Sequence, residues 1–170
     1  GGINHQMSQV TTQAVRQNTI LMIAVALACF HVFTGGFGQF PDLVQRSVHV
    51  GGALALAFLV SGANASGSAL HLWHRCFDWL AAAAVLVCAG YVVIRYPIIS
   101  GINYYANETD VVLGWILVVL LLEGARRVVG WFLPALALIT ILYALFGDQI
   151  PGSFGHRGID ADYLIEILYT

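Results

Sequence analysis

The sequence predicts an all-α fold: a polytopic transmembrane helical bundle of about five hydrophobic segments with short interfacial helices. Three observations predict it. Of the 170 residues, 59% are hydrophobic and only 9% are charged, with a mean hydropathy of +0.80. A soluble domain carries about 25% charged residues, so this chain has too few to solvate a globule of its size. The apolar residues also fall into runs near span length, divided by glycine, proline and polar clusters. Finally, residues 111–147 (VVLGWILVVLLLEGARRVVGWFLPALALITILYALFG) have Glu123, Arg126 and Arg127 as their only charges. As one helix that stretch would run about 55 Å at about 1.5 Å per residue, against a hydrocarbon core about 30 Å thick. The charge cluster is therefore expected at an interface, with one apolar segment on each side. Gly124, Gly130 and Pro134 make a break easy there.

Composition narrows the function classes. The net charge is −2, and all seven cations are arginines, so there is no basic stripe for nucleic acid. The chain has no GxSxG, P-loop, HExxH or GxGxxG, which leaves hydrolase and nucleotide chemistry without support. Cys29, Cys76 and Cys88 show no CxxC spacing and read as small buried hydrophobes. No residue is assigned a catalytic, cofactor-binding or metal-ligating role.

Taken in order, residues 1–17 are polar and form a cytosolic or interfacial lead-in, with room for a short surface helix. A transmembrane bundle follows over 18–147, with spans near 18–35, 44–61, 77–96, 110–127 and 129–147. The first ends at Thr34-Gly35-Gly36, because clustered glycines terminate helices. His31 near that end reads as an interfacial histidine. Pro41 opens the second element from its first turn. There Asp42 and Arg46 are spaced i, i+4 as a local pair, and Arg46 and His49 share a face. Gly51, Gly52, Ala53, Ala55 and Ala57 make this span smooth, and small residues let helices pack closely in lipid.

SGANASGS (61–68) is the most linker-like piece. Trp73 and Trp79, with His71, His74 and Arg75, resemble an interfacial belt. His71, His74 and Cys76 lack the further ligand that a metal site needs. Asp78 has two readings, as a helix-dipole partner or as a partner of Arg75. Pro97 stops the third span, and Arg95 can snorkel at its end. Residues 98–107 form an interfacial loop, and Thr109-Asp110 caps the next helix. Asp110–Ala125 is short for a span, so it either crosses or only dips in. Glu123 precedes Arg126 and Arg127 at pairing distance on a helix, as a charge clamp.

Residues 148–170 leave the membrane and end in a short amphipathic helix capped by Asp160. Tyr163, Leu164, Ile167 and Leu168 form its apolar stripe, for which the sequence offers no partner. With five spans, Arg16, Arg75, Arg126 and Arg127 oppose Arg46, Arg95 and Arg157. That bias puts the N-terminus on the cytoplasmic side.

Three strings carry a resemblance: LVQRSVHVGGALALAFL, the run from Asp110 to Gly147, and the exit IPGSFGHRG. Together they resemble the N-terminal, small-subunit-like region of the membrane component of tripartite ATP-independent periplasmic (TRAP) transporters, in the TAXI branch, whose membrane subunits are commonly fused. The likeness covers residues 40–170. It implies a scaffold that braces an elevator transport domain in a sodium-coupled, binding-protein-dependent secondary transporter for organic acids of the dicarboxylate type. The implied partners are a large TRAP membrane subunit or domain, a periplasmic substrate-binding protein and the lipid bilayer, with no nucleic acid. Substrate and sodium sites would lie in the large part, which this chain lacks, so no cofactor is expected here. Arg46, His49, Glu123, Arg126, Arg127, His156 and Arg157 become structural or interface candidates. The implied location is a bacterial or archaeal inner membrane. Two alternatives compete: a haem-binding membrane anchor of a redox complex, motivated by six histidines, and an unrelated membrane accessory or assembly protein.

Overall fold

The computed structural model describes residues 2–61, 70–101 and 104–169. Every regular element among them is helical: α1 (Gly2–Gly36), α2 (Asp42–Ser61), α3 (Leu70–Ile99), α4 (Glu108–Val129), α5 (Phe132–Phe146) and α6 (Ala161–Tyr169). A single 3₁₀ turn, Gly147–Gln149, extends α5. Among the described residues, four segments are long and apolar enough to cross a membrane: Gln13–Gly36, Asp42–Ser61, His74–Ile99 and Phe132–Gln149. α4 is as long as these, at 22 residues, but carries Glu108, Asp110, Glu123, Arg126 and Arg127.

The core lies where α2, α3 and α4 meet. Leu54, Ala55, Phe58 and Leu59 from α2 pack on Ala81, Ala82 and Val85 of α3 and Leu120 of α4. Small residues allow this close approach. A Cβ on Gly51 would run into Ala89, and one on Gly124 would collide with Leu54. In lipid, packing must hold helices together because apolar burial from water does not. α1 and α5 are peripheral: only 6% and 11% of their most apolar windows are buried.

Several boundaries differ from the sequence expectation. The polar lead-in and first span form one continuous helix, because nothing between Gly2 and Gly36 interrupts backbone hydrogen bonding. Pro97 does not stop α3, which runs two residues further to Ile99. The linker at 62–68 and the side chains of His71 and Trp73 lie outside the described residues. α4 is capped by Asn107 rather than Thr109. The Asn107 side chain accepts the Asp110 N–H at 2.9 Å, and the Asp110 carboxylate accepts the Asn107 N–H at 2.8 Å.

The stretch 111–147 breaks at Gly130, whose φ of 85° suits a residue without a side chain. Gly124 stays helical, pinned against α2, and Pro134 falls in the first turn of α5. The buried face of α6 is Leu164, Ile165 and Tyr169, while Tyr163, Ile167 and Leu168 are exposed. The helix does have a partner within the chain: Ile165 sits in the recess left by Gly114 on α4. Of the cysteines only Cys88 is buried, and Cys29 and Cys76 are exposed.

Candidate functional site

The ion pairs among the described residues fall in two layers, one at each end of the α3–α4 pair. Asp78 and Arg95 on α3 are about 25 Å apart along the helix at about 1.5 Å per residue. Asp110 and Arg127 on α4 have the same sequence spacing. Because the helices run antiparallel, the four residues pair reciprocally: Asp78 with Arg127, and Asp110 with Arg95. The spacing is a little under the thickness of a hydrocarbon core, about 30 Å.

At one end Asp78 is 1% exposed and accepts from two guanidinium groups, one on α4 and one on α1. Arg127 donates to Asp78 Oδ1. Arg16, buried beside it, lies 3.5 Å from Oδ2 and donates through Nε to the Leu59 carbonyl at 2.7 Å. Arg127 also donates to Glu123 at 2.7 Å, and its guanidinium lies over the rings of Phe58 and Phe77. Arg126 closes a two-pronged bond to Glu123 at 2.7 and 2.8 Å and rests over Trp131. Asp78 is thus neither a first-turn dipole partner nor the mate of Arg75. It sits eight residues inside α3, where a buried carboxylate needs cations brought from other helices.

At the other end Asp110 is fully buried. It accepts from the phenols of Tyr91 at 2.7 Å and Tyr104 at 2.6 Å, with Arg95 3.6 Å away. Arg95 therefore turns inward and lies over the Tyr91 ring instead of snorkelling free. Tyr104 folds in from the loop while Tyr105 is 82% exposed. Burial, and then the Asp110 carboxylate it donates to, hold the Tyr104 phenol well above the usual tyrosine range.

The sequence candidates lie in three separate places. Glu123, Arg126 and Arg127 come together as expected. Arg46 makes no ion pair with Asp42 or with any other described residue. His49 turns to His31 on α1, with Nδ1 and Nε2 2.9 Å apart. With metal–nitrogen bonds near 2 Å, an iron between two facing rings needs about 4 Å, so this contact does not fit a haem axial pair. His156 fills the space over Gly147, its ring nitrogens facing the carbonyls of Arg157 at 2.8 Å and Tyr143 at 3.1 Å. Arg157 is exposed. Among the described residues no three His, Cys, Asp or Glu side chains converge as a metal site would require.

Sequence reading missed Arg16, Asp78 and Asp110 as the anchors of the bundle. The equal spacing of Asp78–Arg95 and Asp110–Arg127 was the available signal. Chemically, the carboxylates of both layers are already occupied by guanidinium or phenol donors, which makes them clamps rather than bases. Fold and charge layers together define a multi-pass helical membrane protein. No protein family, curated protein or solved structure matches the chain significantly.

Proposed function

We propose that this chain is a scaffold part of a sodium-coupled, binding-protein-dependent secondary transporter, bracing a larger membrane part that carries the transport site. The observation that carries this reading is the reciprocal Asp–Arg pairing at both ends of α3 and α4. Two clamps about 25 Å apart resist both sliding and tilting of the helix pair. A brace beside a moving domain needs that stiffness. Support also comes from the strings that resemble the small-subunit-like region of TRAP transporters, and from the poorly buried apolar faces of α1 and α5. A transport site calls for broken helices with converging polar groups at the midplane. The ion-paired groups of α3 and α4 lie instead at the two ends of that helix pair and are mutually engaged. In this reading the cargo is an organic acid of the dicarboxylate type, delivered by a periplasmic binding protein. Arg16 and Arg127 would mark the cytoplasmic end of an inner-membrane protein.

The test has two arms. The chain alone, reconstituted in proteoliposomes, is expected to give no sodium-driven uptake of dicarboxylates; uptake by it alone would overturn the reading. Expressed in its native membrane with an affinity tag, it is expected to bring down a larger multi-pass protein. Recovery of the chain without any such protein would count equally against it.

A further inference from the structure

An open groove runs along the outside of the core, walled by α2 and α5 and floored by α4. Its volume is about 520 Å³, within the roughly 300–1,000 Å³ of small-molecule sites. Val50 of α2, Val118 and Leu121 of α4, and Leu136 and Ala137 of α5 give it apolar sides. Among the described residues one charged side chain lines it, Arg46, one turn into α2. Ser47 and Thr140 also reach it, but their hydroxyls donate back to the Leu43 and Leu136 carbonyls at 2.7 and 2.9 Å. The guanidinium is therefore the donor that remains free to meet a ligand.

Depth decides what that ligand is. Gly51 packs on Ala89, so Arg46, a little more than a turn before Gly51, is level with Arg95 near the end of α3. That level is the Asp110 layer, which the match between the spacing of the two layers, about 25 Å, and a hydrocarbon core of about 30 Å assigns to one membrane boundary. The groove thus has a cation at headgroup height and apolar walls running inward, which is the charge and polarity profile of a phospholipid. Asp42 adds a second condition. It lies one turn further toward water on the same face, exposed and without an ion pair among the described residues. Glu166, which accepts from the Ala106 N–H, belongs to the same end. A net-negative headgroup would meet repulsion there, whereas an ammonium would not.

We infer that the groove binds an ethanolamine-type phospholipid: one acyl chain between α2 and α5, the phosphate on Arg46, and the headgroup ammonium toward Asp42. Arginine suits phosphate because its planar N–H groups match phosphate oxygens two at a time. The inference is independent of the transporter reading, since it rests on the groove and its two unpaired charges.

The experiment measures lipid retention by native mass spectrometry of the full chain in mixed micelles. Phosphatidylethanolamine, phosphatidylglycerol and diacylglycerol are supplied at equal concentration. A parallel sample carries phosphatidylethanolamine with a photoreactive acyl chain. The wild type is expected to retain phosphatidylethanolamine over the other two by about fivefold, the weight of one interfacial charge contact. Arg46→Gln should bring it down to the level of diacylglycerol. Asp42→Asn should leave phosphate binding intact and erase the preference over phosphatidylglycerol. Photo-adducts should fall on peptides of α2, α4 and α5, and Ala137→Phe, which fills the groove from α5, should remove them. Equal retention of diacylglycerol would overturn the Arg46 contact, and equal retention of phosphatidylglycerol would overturn the Asp42 contact. Adducts spread over α1, or a protein helix cross-linked into the groove in native membranes, would overturn the lipid assignment itself.

Discussion

At the scale of single residues, Asp78 is the most consequential side chain. It is a carboxylate taken out of water and held by two guanidinium groups from other helices. Breaking such a buried pair strands the remaining charges, which costs about 3–5 kcal/mol. Asp78→Asn is expected to lower stability by that amount in an SDS-titration unfolding assay. Arg126→Gln, at the exposed side of the neighbouring cluster, should leave the midpoint nearly unmoved. Tyr104 gives a pH signature. Below about pH 10 the phenol is protonated in folded and unfolded chains alike, so its bond to Asp110 contributes in full. Above that pH the unfolded chain releases its proton first, because the folded value is raised. Stability therefore falls as pH rises through the folded value. Tyr104→Phe should cost about 1.5–3 kcal/mol at neutral pH. It should also show a shallower loss than wild type in unfolding curves compared between about pH 9 and pH 11.

At the scale of elements, glycine placement decides which helices touch. Gly124 brings α4 against Leu54 of α2, with no room for a side chain. Gly124→Leu would force that contact apart at a cost of about 1–3 kcal/mol, read as reduced unfolding free energy and faster cysteine labelling at Cys88. α6 depends on a comparable fit. Ile165 is fully buried against α4, and the Tyr169 hydroxyl donates to the Cys88 carbonyl at 2.8 Å. Ile165→Ala is expected to cost about 2–5 kcal/mol locally and to expose residues 150–169 to limited proteolysis while the rest of the bundle survives. Of the stripe chosen from the sequence, Leu164 is buried, but Tyr163, Ile167 and Leu168 are exposed, and Ile165 and Tyr169 complete the buried face instead. Amphipathic spacing in nine residues is compatible with two neighbouring faces, and the recess at Gly114 selected one of them.

At the scale of the whole molecule, the two charge layers set a thickness. Their separation of about 25 Å along α3 and α4 is slightly less than a typical hydrocarbon core. Unfolding free energy in bilayers of graded acyl-chain length is therefore expected to peak near that thickness. It should fall by fractions of a kcal/mol per Å of mismatch on either side. A flat profile would show that the layers do not register with the lipid boundaries. α1 and α5 leave most of their apolar surface outside the core, so the molecule meets lipid or a partner over a large part of its exterior.

The amino-acid order by itself determined that this is a helical membrane protein, because charge content and apolar run length are properties of the chain alone. It also determined the Glu123–Arg126–Arg127 cluster, since i, i+3 and i, i+4 neighbours meet on any helix. The break after the arginines was legible for the same local reason: glycine and proline act on their own backbone. Only the tertiary structure decided that Arg16 reaches Asp78 across 62 residues and that Asp110 gathers Tyr91, Tyr104 and Arg95. It likewise decided that Arg46 remains unpaired in a groove. Those outcomes depend on which helix faces which, and at what depth. Glycine-sized recesses and antiparallel register set both, and no periodicity within a single helix encodes them.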